Sequence, residues 1–141
     1  MASKGHQMIA GLIARKMRME GYGVISFDGN ESIISQVLLS VPPQISRHRP
    51  DLIGVNLKDK AICIGEAKTE LDLKTKRTEE QLTDFSNITT TEGNLCNLII
   101  GVPQSAIPIL KDVLTKIGIK DKKNISYVYL PDELLNKEDD D

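Results

Sequence analysis

The segment RPDLIGVNLKDKAICIGEAKTE (49–70) contains two apolar runs, DLIGVNL and AICIGEAK, separated by the polar residues KDK. Apolar runs of this length, rich in β-branched residues and divided by a short polar turn, predict a β-hairpin. The hairpin begins with Asp51 and ends with Glu66 and Lys68, so both strands carry charge at the open end. Each charge also has a purely structural interpretation, since Asp51 could cap the first strand and Glu66 could pair with Lys68 on an exposed edge.

The turn geometry predicts which of these charged residues face each other. If the turn is centred between Lys58 and Asp59, residues whose numbers add to 117 are opposed, and Asp51 lies opposite Glu66. A turn one residue later sets Asp51 opposite Lys68 instead. Opposed side chains in a ladder are ~5 Å apart, so either register brings the three groups together. Two carboxylates this close stay ionised only with a cation between them, and oxygen ligands of this kind suit Mg²⁺ or Mn²⁺.

Helices and strands are predicted on both sides of the hairpin. Apolar residues at helical spacing predict an N-terminal helix, with Ser3 as its N-cap and Gly21 at its end. These apolar residues are Met8, Ile9, Leu12, Ile13 and Met17. The other expected elements are a strand (22–27), a helix (78–88), a strand (95–102), a helix (105–118) and a strand (125–130). Residues 28–49 could form a strand or a short helix. The order α-β-(x)-β-β-α-β-α-β predicts an α/β fold with a mixed central sheet flanked by helices.

Composition and charge set limits on the class of protein. The chain has 141 residues, 40% of them hydrophobic and 27% charged, which is typical of a single globular domain. No run has the length of a transmembrane helix and no apolar signal-peptide core is present, so we expect no membrane association and a cytoplasmic location. Cys63 and Cys96 lie in apolar runs without a CxxC motif, which favours buried, reduced thiols over a disulfide.

The charge is unevenly distributed along the chain. Residues 131–141 contain six acids and one lysine, which leaves 17 basic and 14 acidic residues in 1–130. The sequence therefore predicts one domain (1–130) followed by a flexible acidic tail (131–141). Several basic residues are candidates for contact with DNA phosphates, with solvated surface positions as the alternative: Lys4, Arg47, Arg49, Lys74, Lys76 and Arg77.

Pro50-Asp51, followed by Glu66-Ala67-Lys68 at the end of the next strand, resembles the signature of the PD-(D/E)XK nuclease superfamily. That superfamily includes restriction endonucleases, archaeal Holliday junction resolvases and repair nucleases. Its core order, αβββαβ, is similar to the order predicted here for roughly residues 4–102. The opening SKGHQMIAGLIARKMRMEGYGV is similar to the resolvases, which begin with Lys-Gly and a helix that leads to the first strand.

The resemblance implies a restriction-endonuclease-like domain that hydrolyses DNA phosphodiester bonds with bound Mg²⁺ (or Mn²⁺). Asp51, Glu66 and the carbonyl of Ala67 would hold the metal, and Lys68 would orient and polarise the attacking water. Gln81 resembles the Gln that several members carry on the following helix, where it would position Lys68 or the DNA backbone. A capping box with Thr78 is the alternative for Gln81.

With few residues outside the core, the sequence favours recognition of DNA shape, as in a junction resolvase, or a protein partner that supplies specificity. Paired cuts require two sites, which predicts a homodimer, and the apolar segment Ile33–Val41 is its candidate interface.

Family members usually place a Glu on the first helix, facing the metals. Here the facing positions hold His6, Gln7 or apolar residues, and a surface or helix-start position is favoured for His6 over the alternative of a metal ligand. This departure supports an alternative function, a nuclease-derived nucleic-acid-binding or assembly module without efficient catalysis.

Overall fold

A computed structural model describes residues 3–27, 39–40 and 48–135 of the chain. Several predictions fall on the remainder and lie outside the described residues. These are the fold of 28–38 and 41–47, the phosphate contact of Arg47, the end of the acidic tail, and all of the proposed interface Ile33–Val41 except the backbone of Leu39–Ser40.

The described residues form a mixed α/β fold, which contains a short strand, Thr89–Thr90, that was not predicted. Its helices are α1 (Lys4–Met19), α2 (Lys76–Phe85) and α3 (Ile107–Lys116). Its strands are β1 (Gly23–Phe27), β2 (Leu39–Ser40), β3 (Leu52–Asn56), β4 (Ala61–Ala67), β5 (Thr89–Thr90), β6 (Asn97–Pro103) and β7 (Ile125–Leu130). Short 3-10 helices span Asp72–Lys74, Gln104–Ala106 and Asp132–Leu134.

Within the described residues, five strands form one sheet in the order β1-β3-β4-β6-β7, and β2 pairs separately with β5. The β1-β3 and β3-β4 pairs are antiparallel, whereas the β4-β6 and β6-β7 pairs are parallel. This arrangement confirms the predicted mixed sheet flanked by helices. In the same part of the chain, no helix is long and apolar enough to cross a membrane.

Strands β3 and β4 form the hairpin in the first of the two predicted registers. Leu52 pairs with Gly65 and Gly54 with Cys63, so opposed residue numbers add to 117. The turn is tied by Asn56, whose side-chain oxygen accepts a hydrogen bond of 3.1 Å from the Asp59 amide. This register places Asp51 and Glu66 next to each other, just beyond the last paired residues.

The two faces of the sheet are covered by different helices. On one face, Ile9, Ile13 and Met17 of α1 belong to a buried cluster with Leu52 and Ile99. On the other face, the residues of α2 and α3 join strand residues in a larger cluster that includes Ile53, Ile64, Leu82, Phe85, Ile100 and Leu110. Burial of this apolar surface on both sides is the main stabilising contribution to the fold.

A row of glycines on three neighbouring strands lets α1 lie close to the sheet. These are Gly54, Gly65 and Gly101, on β3, β4 and β6. A Cβ at Gly65 would lie 2.6 Å from Ile13 Cγ2, and a Cβ at Gly101 would lie 2.5 Å from Ile9 Cγ2. Side chains at these positions would push the helix outward, so the glycines fix the position of α1 over β4.

Some predicted boundaries differ from the structure because of local capping. Helix α2 begins at Lys76 rather than at 78, since the Thr75 hydroxyl oxygen caps it by accepting a hydrogen bond of 3.2 Å from the Thr78 amide. The capping-box alternative for Gln81 is therefore wrong. The strand predicted for 95–102 is Asn97–Pro103, and the helix predicted for 105–118 is divided into a 3-10 turn and α3.

The cysteine prediction is confirmed, because Cys63 and Cys96 are both buried and free. Burial raises the pKa of each thiol to about 12, so both thiols are protonated at neutral pH. The start of the predicted tail has regular structure, in that Asp132 opens a 3-10 helix and accepts a hydrogen bond of 3.1 Å from the Ser105 amide.

Candidate active site

The open end of the β3–β4 hairpin is closed by side-chain carboxylates rather than by backbone carbonyls. The Asp51 amide donates a hydrogen bond of 3.0 Å to Glu66 Oε1. In return, the Ala67 amide donates a hydrogen bond of 2.8 Å to Asp51 Oδ2. Each carboxylate thus accepts from the strand opposite its own, and this reciprocal pair fixes the separation of Asp51 and Glu66.

Lys68 links this pair to helix α2. Its Nζ lies 3.0 Å from Glu66 Oε2 and also donates a hydrogen bond to Gln81 Oε1. The three residues are 2% (Glu66), 7% (Lys68) and 6% (Gln81) exposed, so their polar groups depend on one another rather than on water. The structure therefore brings together the predicted residues Asp51, Glu66, Lys68 and Gln81, with the backbone of Ala67 beside them.

His6 is a site residue to which the sequence interpretation assigned no role in the site. Its Nε2 lies 3.3 Å from Asp51 Oδ2, and the two side chains are each 19% exposed. His6 does lie in the first turn of α1, where its amide donates to the Ser3 hydroxyl oxygen, but its imidazole turns toward the hairpin. Steps of three and four from His6 to Ile9 and Ile13 place His6 on the buried face of α1, in agreement with the facing position expected from the sequence.

The pKa values of the two carboxyl groups are shifted in opposite directions. Burial and the neighbouring Asp51 carboxylate raise the pKa of Glu66 to about 8, although Lys68 acts in the opposite direction. Burial also acts to raise the pKa of Asp51, but the hydrogen bonds from His6 and the Ala67 amide outweigh it and hold that pKa below its ordinary value. The hydrogen bond with Asp51 raises the pKa of His6 against the effect of burial. The pKa of Asp51 is thus lowered and that of Glu66 is raised, so Glu66 is the carboxyl group of the pair that resists ionisation.

The donor set fits a hard divalent cation. Two carboxylates and a backbone carbonyl are the oxygen ligands that Mg²⁺ and Mn²⁺ prefer. Burial and the charge of Asp51 act against ionisation of Glu66, and a cation bound between the two carboxylates would favour it. Among the described residues, no group of three or more His, Cys, Asp and Glu side chains is already arranged around a common point as a ligand set. Binding an ion here would replace the contacts of Glu66 with Lys68 and of Asp51 with His6.

The predicted DNA-contacting residues that the structure describes are exposed: Lys4, Arg49, Lys74, Lys76 and Arg77. Lys4 begins α1, two residues from His6, and Arg49 precedes Asp51 by two. The other three lie in the stretch that leads from Lys68 into α2. Their contact with phosphate stays a prediction. Beside Arg49, the buried His48 Nε2 lies 3.3 Å from Asp84 Oδ2 of α2, which ties the segment before Asp51 to the helix that carries Gln81.

No family model, curated protein or solved structure matches the chain at a significant level, so the residues of the site carry the functional argument.

Proposed function

We propose that this protein is a metal-dependent DNA endonuclease that hydrolyses phosphodiester bonds, with a restriction-endonuclease-like domain. The observation that carries the proposal is the convergence of Asp51, Glu66 and Lys68 at one end of the hairpin, with Gln81 against the Lys68 ammonium. Two acidic oxygen donors beside a buried cation are the groups that hydrolysis of a charged diester requires.

Each residue has a role that follows from its position. Asp51, Glu66 and the Ala67 carbonyl would hold Mg²⁺ or Mn²⁺, which supplies Lewis-acid polarisation of the scissile phosphate. Lys68 would orient the attacking water and stabilise the negative charge that develops on phosphate oxygens. Gln81 accepts a hydrogen bond from Lys68 and so acts as a positioning residue for it.

The surroundings of the site favour recognition of DNA shape. The candidate contacts around it are exposed lysines and arginines, such as Arg49, Lys74 and Arg77. Contacts of these residues with phosphates fix register and orientation without reading bases. A four-way junction, whose phosphates are arranged differently from those of a duplex, is therefore the preferred substrate in this proposal. Paired cuts in a junction would require a homodimer.

A second candidate is a nucleic-acid-binding or assembly module without efficient catalysis. Two observations support it. Lys68 is engaged by both Glu66 and Gln81, and His6 occupies the Asp51 side of the site. In such a module, the same network would serve only to stabilise the end of the hairpin.

The test compares cleavage of a four-way junction, a nicked duplex, a flap and a plain duplex, each with Mg²⁺ or Mn²⁺. We expect cutting of the junction above all, and a loss of roughly 10²–10³-fold in rate for Lys68→Met, comparable to the loss of one charge-stabilising donor. Asp51→Asn should abolish cleavage. The matched control is Lys58→Met, which makes the same substitution in the turn at the far end of the hairpin and should cleave normally.

Three outcomes separate the possibilities. Equal cleavage of all four substrates would leave a nuclease without shape preference. Binding of the junction without cleavage under either metal would favour the binding module. Full activity of a folded Lys68→Met or Asp51→Asn variant would remove the site assignment.

A further inference from the structure

His48 is a polar side chain held inside the core close to the site. It is 3% exposed, and its ring packs edge-on against Phe85 of α2, with ring centroids 6.2 Å apart and 77° between the ring planes. Its Nε2 lies 3.3 Å from Oδ2 of Asp84, on the same helix. Burial of a polar group costs free energy that a polar partner offsets. The aromatic ring and the carboxylate together therefore fix the position of His48 against α2.

His48 lies at the start of the segment that leads into the site. Strand β3 begins at Leu52, so Asp51 and the three residues before it precede the paired residues of that strand. One of these is Pro50, which has no amide hydrogen to donate. The segment carries both Asp51 and Arg49. The contact of His48 with α2 holds it at one end, and the sheet holds it at the other.

The same side of α2 also supports Lys68. Gln81, which accepts a hydrogen bond from the Lys68 ammonium, precedes Asp84 by three residues and Phe85 by four. Residues at these spacings are neighbours on a helix surface, about one turn or ~5.4 Å apart along the axis. One turn of α2 thus holds Lys68 at the end of β4, and the next turn holds the segment that carries Asp51 at the start of β3.

We propose that His48 and Asp84 are a positioning pair for the proposed reaction. Through their contact, α2 fixes Asp51 relative to Lys68, so the carboxylate that would bind the metal and the ammonium that would orient the water keep one separation. This proposal rests on the proposed function, and neither residue of the pair would touch the metal or the substrate. Misplacement of a reacting group by about 1 Å costs on the order of 10²-fold in rate, so a contact at this distance from the chemistry controls the rate.

Replacement of Asp84 separates this role from simple packing. Asp84→Ala removes the carboxylate that faces His48. We expect it to lower kcat for junction cleavage roughly 10–100-fold and to weaken Mn²⁺ binding to the full chain roughly tenfold, as is typical of groups that orient a ligand from outside the ligand set. Asp84→Asn should stay within about threefold of the wild type in both, because it keeps an acceptor oxygen at the same place. The matched control is Asp112→Ala, at an exposed position of α3, which should change neither value.

A double-mutant cycle tests whether the two residues act as a unit. If they do, His48→Phe, Asp84→Ala and the double variant should all show about the same loss in kcat, whereas independent effects would multiply. His48→Phe fills the same space without the ring nitrogens, and it takes the place of Asp84→Ala if that variant does not fold. Urea denaturation of each variant confirms that kcat values are compared between folded proteins.

The outcomes separate this proposal from the proposed function. A folded Asp84→Ala variant with the kcat and the Mn²⁺ affinity of the wild type would overturn the positioning role and leave the site of Asp51 and Lys68 intact. Losses that multiply in the double variant would also overturn it. If the wild type binds Mn²⁺ without cleaving DNA, the calorimetric Mn²⁺ affinities alone decide. A wild type that neither cleaves DNA nor binds Mn²⁺ would overturn the proposed function and the positioning role together.

Discussion

Replacement of Glu66 by Gln tests whether the carboxylate pair destabilises the protein when both groups are ionised. Gln keeps an oxygen that can accept the hydrogen bond from the Asp51 amide, and it removes the group that titrates. Because the pKa of Glu66 is raised from 4.5 to about 8, the folded protein holds a proton that the unfolded chain releases between these values. The unfolding free energy of the wild type therefore falls as the pH rises from about 4.5 to about 8, and levels off above that range.

The size of this effect follows from the shift in the pKa. One pKa unit corresponds to about 1.4 kcal/mol, so ionisation of Glu66 costs the folded state at most about 5 kcal/mol. The Glu66→Gln variant should gain up to that amount over the wild type between pH 5 and pH 9. Urea denaturation at pH 5, 7 and 9, with EDTA present to remove divalent ions, measures the difference at each pH. Glu70→Gln is the matched control, because Glu70 is exposed four residues further along the chain.

The contact between Lys68 and Glu66 stabilises the ionised form of Glu66. Taken alone, this contact predicts that Glu66→Gln lowers the stability of the protein. Their 3.0 Å separation is that of a buried ion pair, and an ion pair that dominated the site would keep Glu66 ionised at neutral pH. We favour the raised pKa because burial and the charge of Asp51 both act against ionisation, and Gln81 shares the Lys68 ammonium. A Glu66→Gln variant less stable than the wild type at pH 9, or a difference that does not change with pH, would refute this reasoning.

Three further predictions concern packing, association and charge. Gly101→Ala should lower the unfolding free energy by about 1–3 kcal/mol, measured in urea, because its Cβ would lie 2.5 Å from Ile9 Cγ2; an unchanged midpoint would mean that α1 moves freely. Ile34→Asp should convert the expected dimer to a monomer in sedimentation at micromolar concentration, and a wild type that is already monomeric would remove that interface. Junction binding should weaken steeply with salt, and the combined Lys74→Gln and Arg77→Gln variant should reduce the slope of log K against log[salt] by roughly 2; an unchanged slope would exclude these residues as phosphate contacts.

The hairpin and its charged end could be predicted from the sequence because both depend on local rules. A polar turn between two apolar runs fixes the pairing of residues, and pairing fixes which side chains meet, so Asp51 and Glu66 could be placed together. The role of Gln81 could not be settled, because the alternatives depended on where α2 begins. Thr75, three residues before the expected cap, is the actual N-cap and leaves Gln81 directed at Lys68.

The contact of His6 with Asp51 depends on tertiary packing and was not predictable from local patterns. The two residues are 45 positions apart, and they meet where α1 packs closely on the glycine row of the sheet. Helical periodicity could place His6 on the buried face of α1, but not at a particular strand end. The reciprocal hydrogen bonds of the two carboxylates with opposite backbones were likewise beyond the pairing rules, because those rules describe backbone partners only.

The carboxylate closure of the hairpin makes two backbone amides into reporters of the site. Amides at the end of a hairpin normally exchange with solvent as the strands fray. Here the Asp51 and Ala67 amides are held by Glu66 and Asp51 side chains, so their protection depends on where those carboxylates point. An ion or a substrate that draws either carboxylate away would release its amide to solvent, while the rest of the ladder stays protected. Hydrogen exchange at two peptide groups would then follow occupancy of the site without an assay of cleavage.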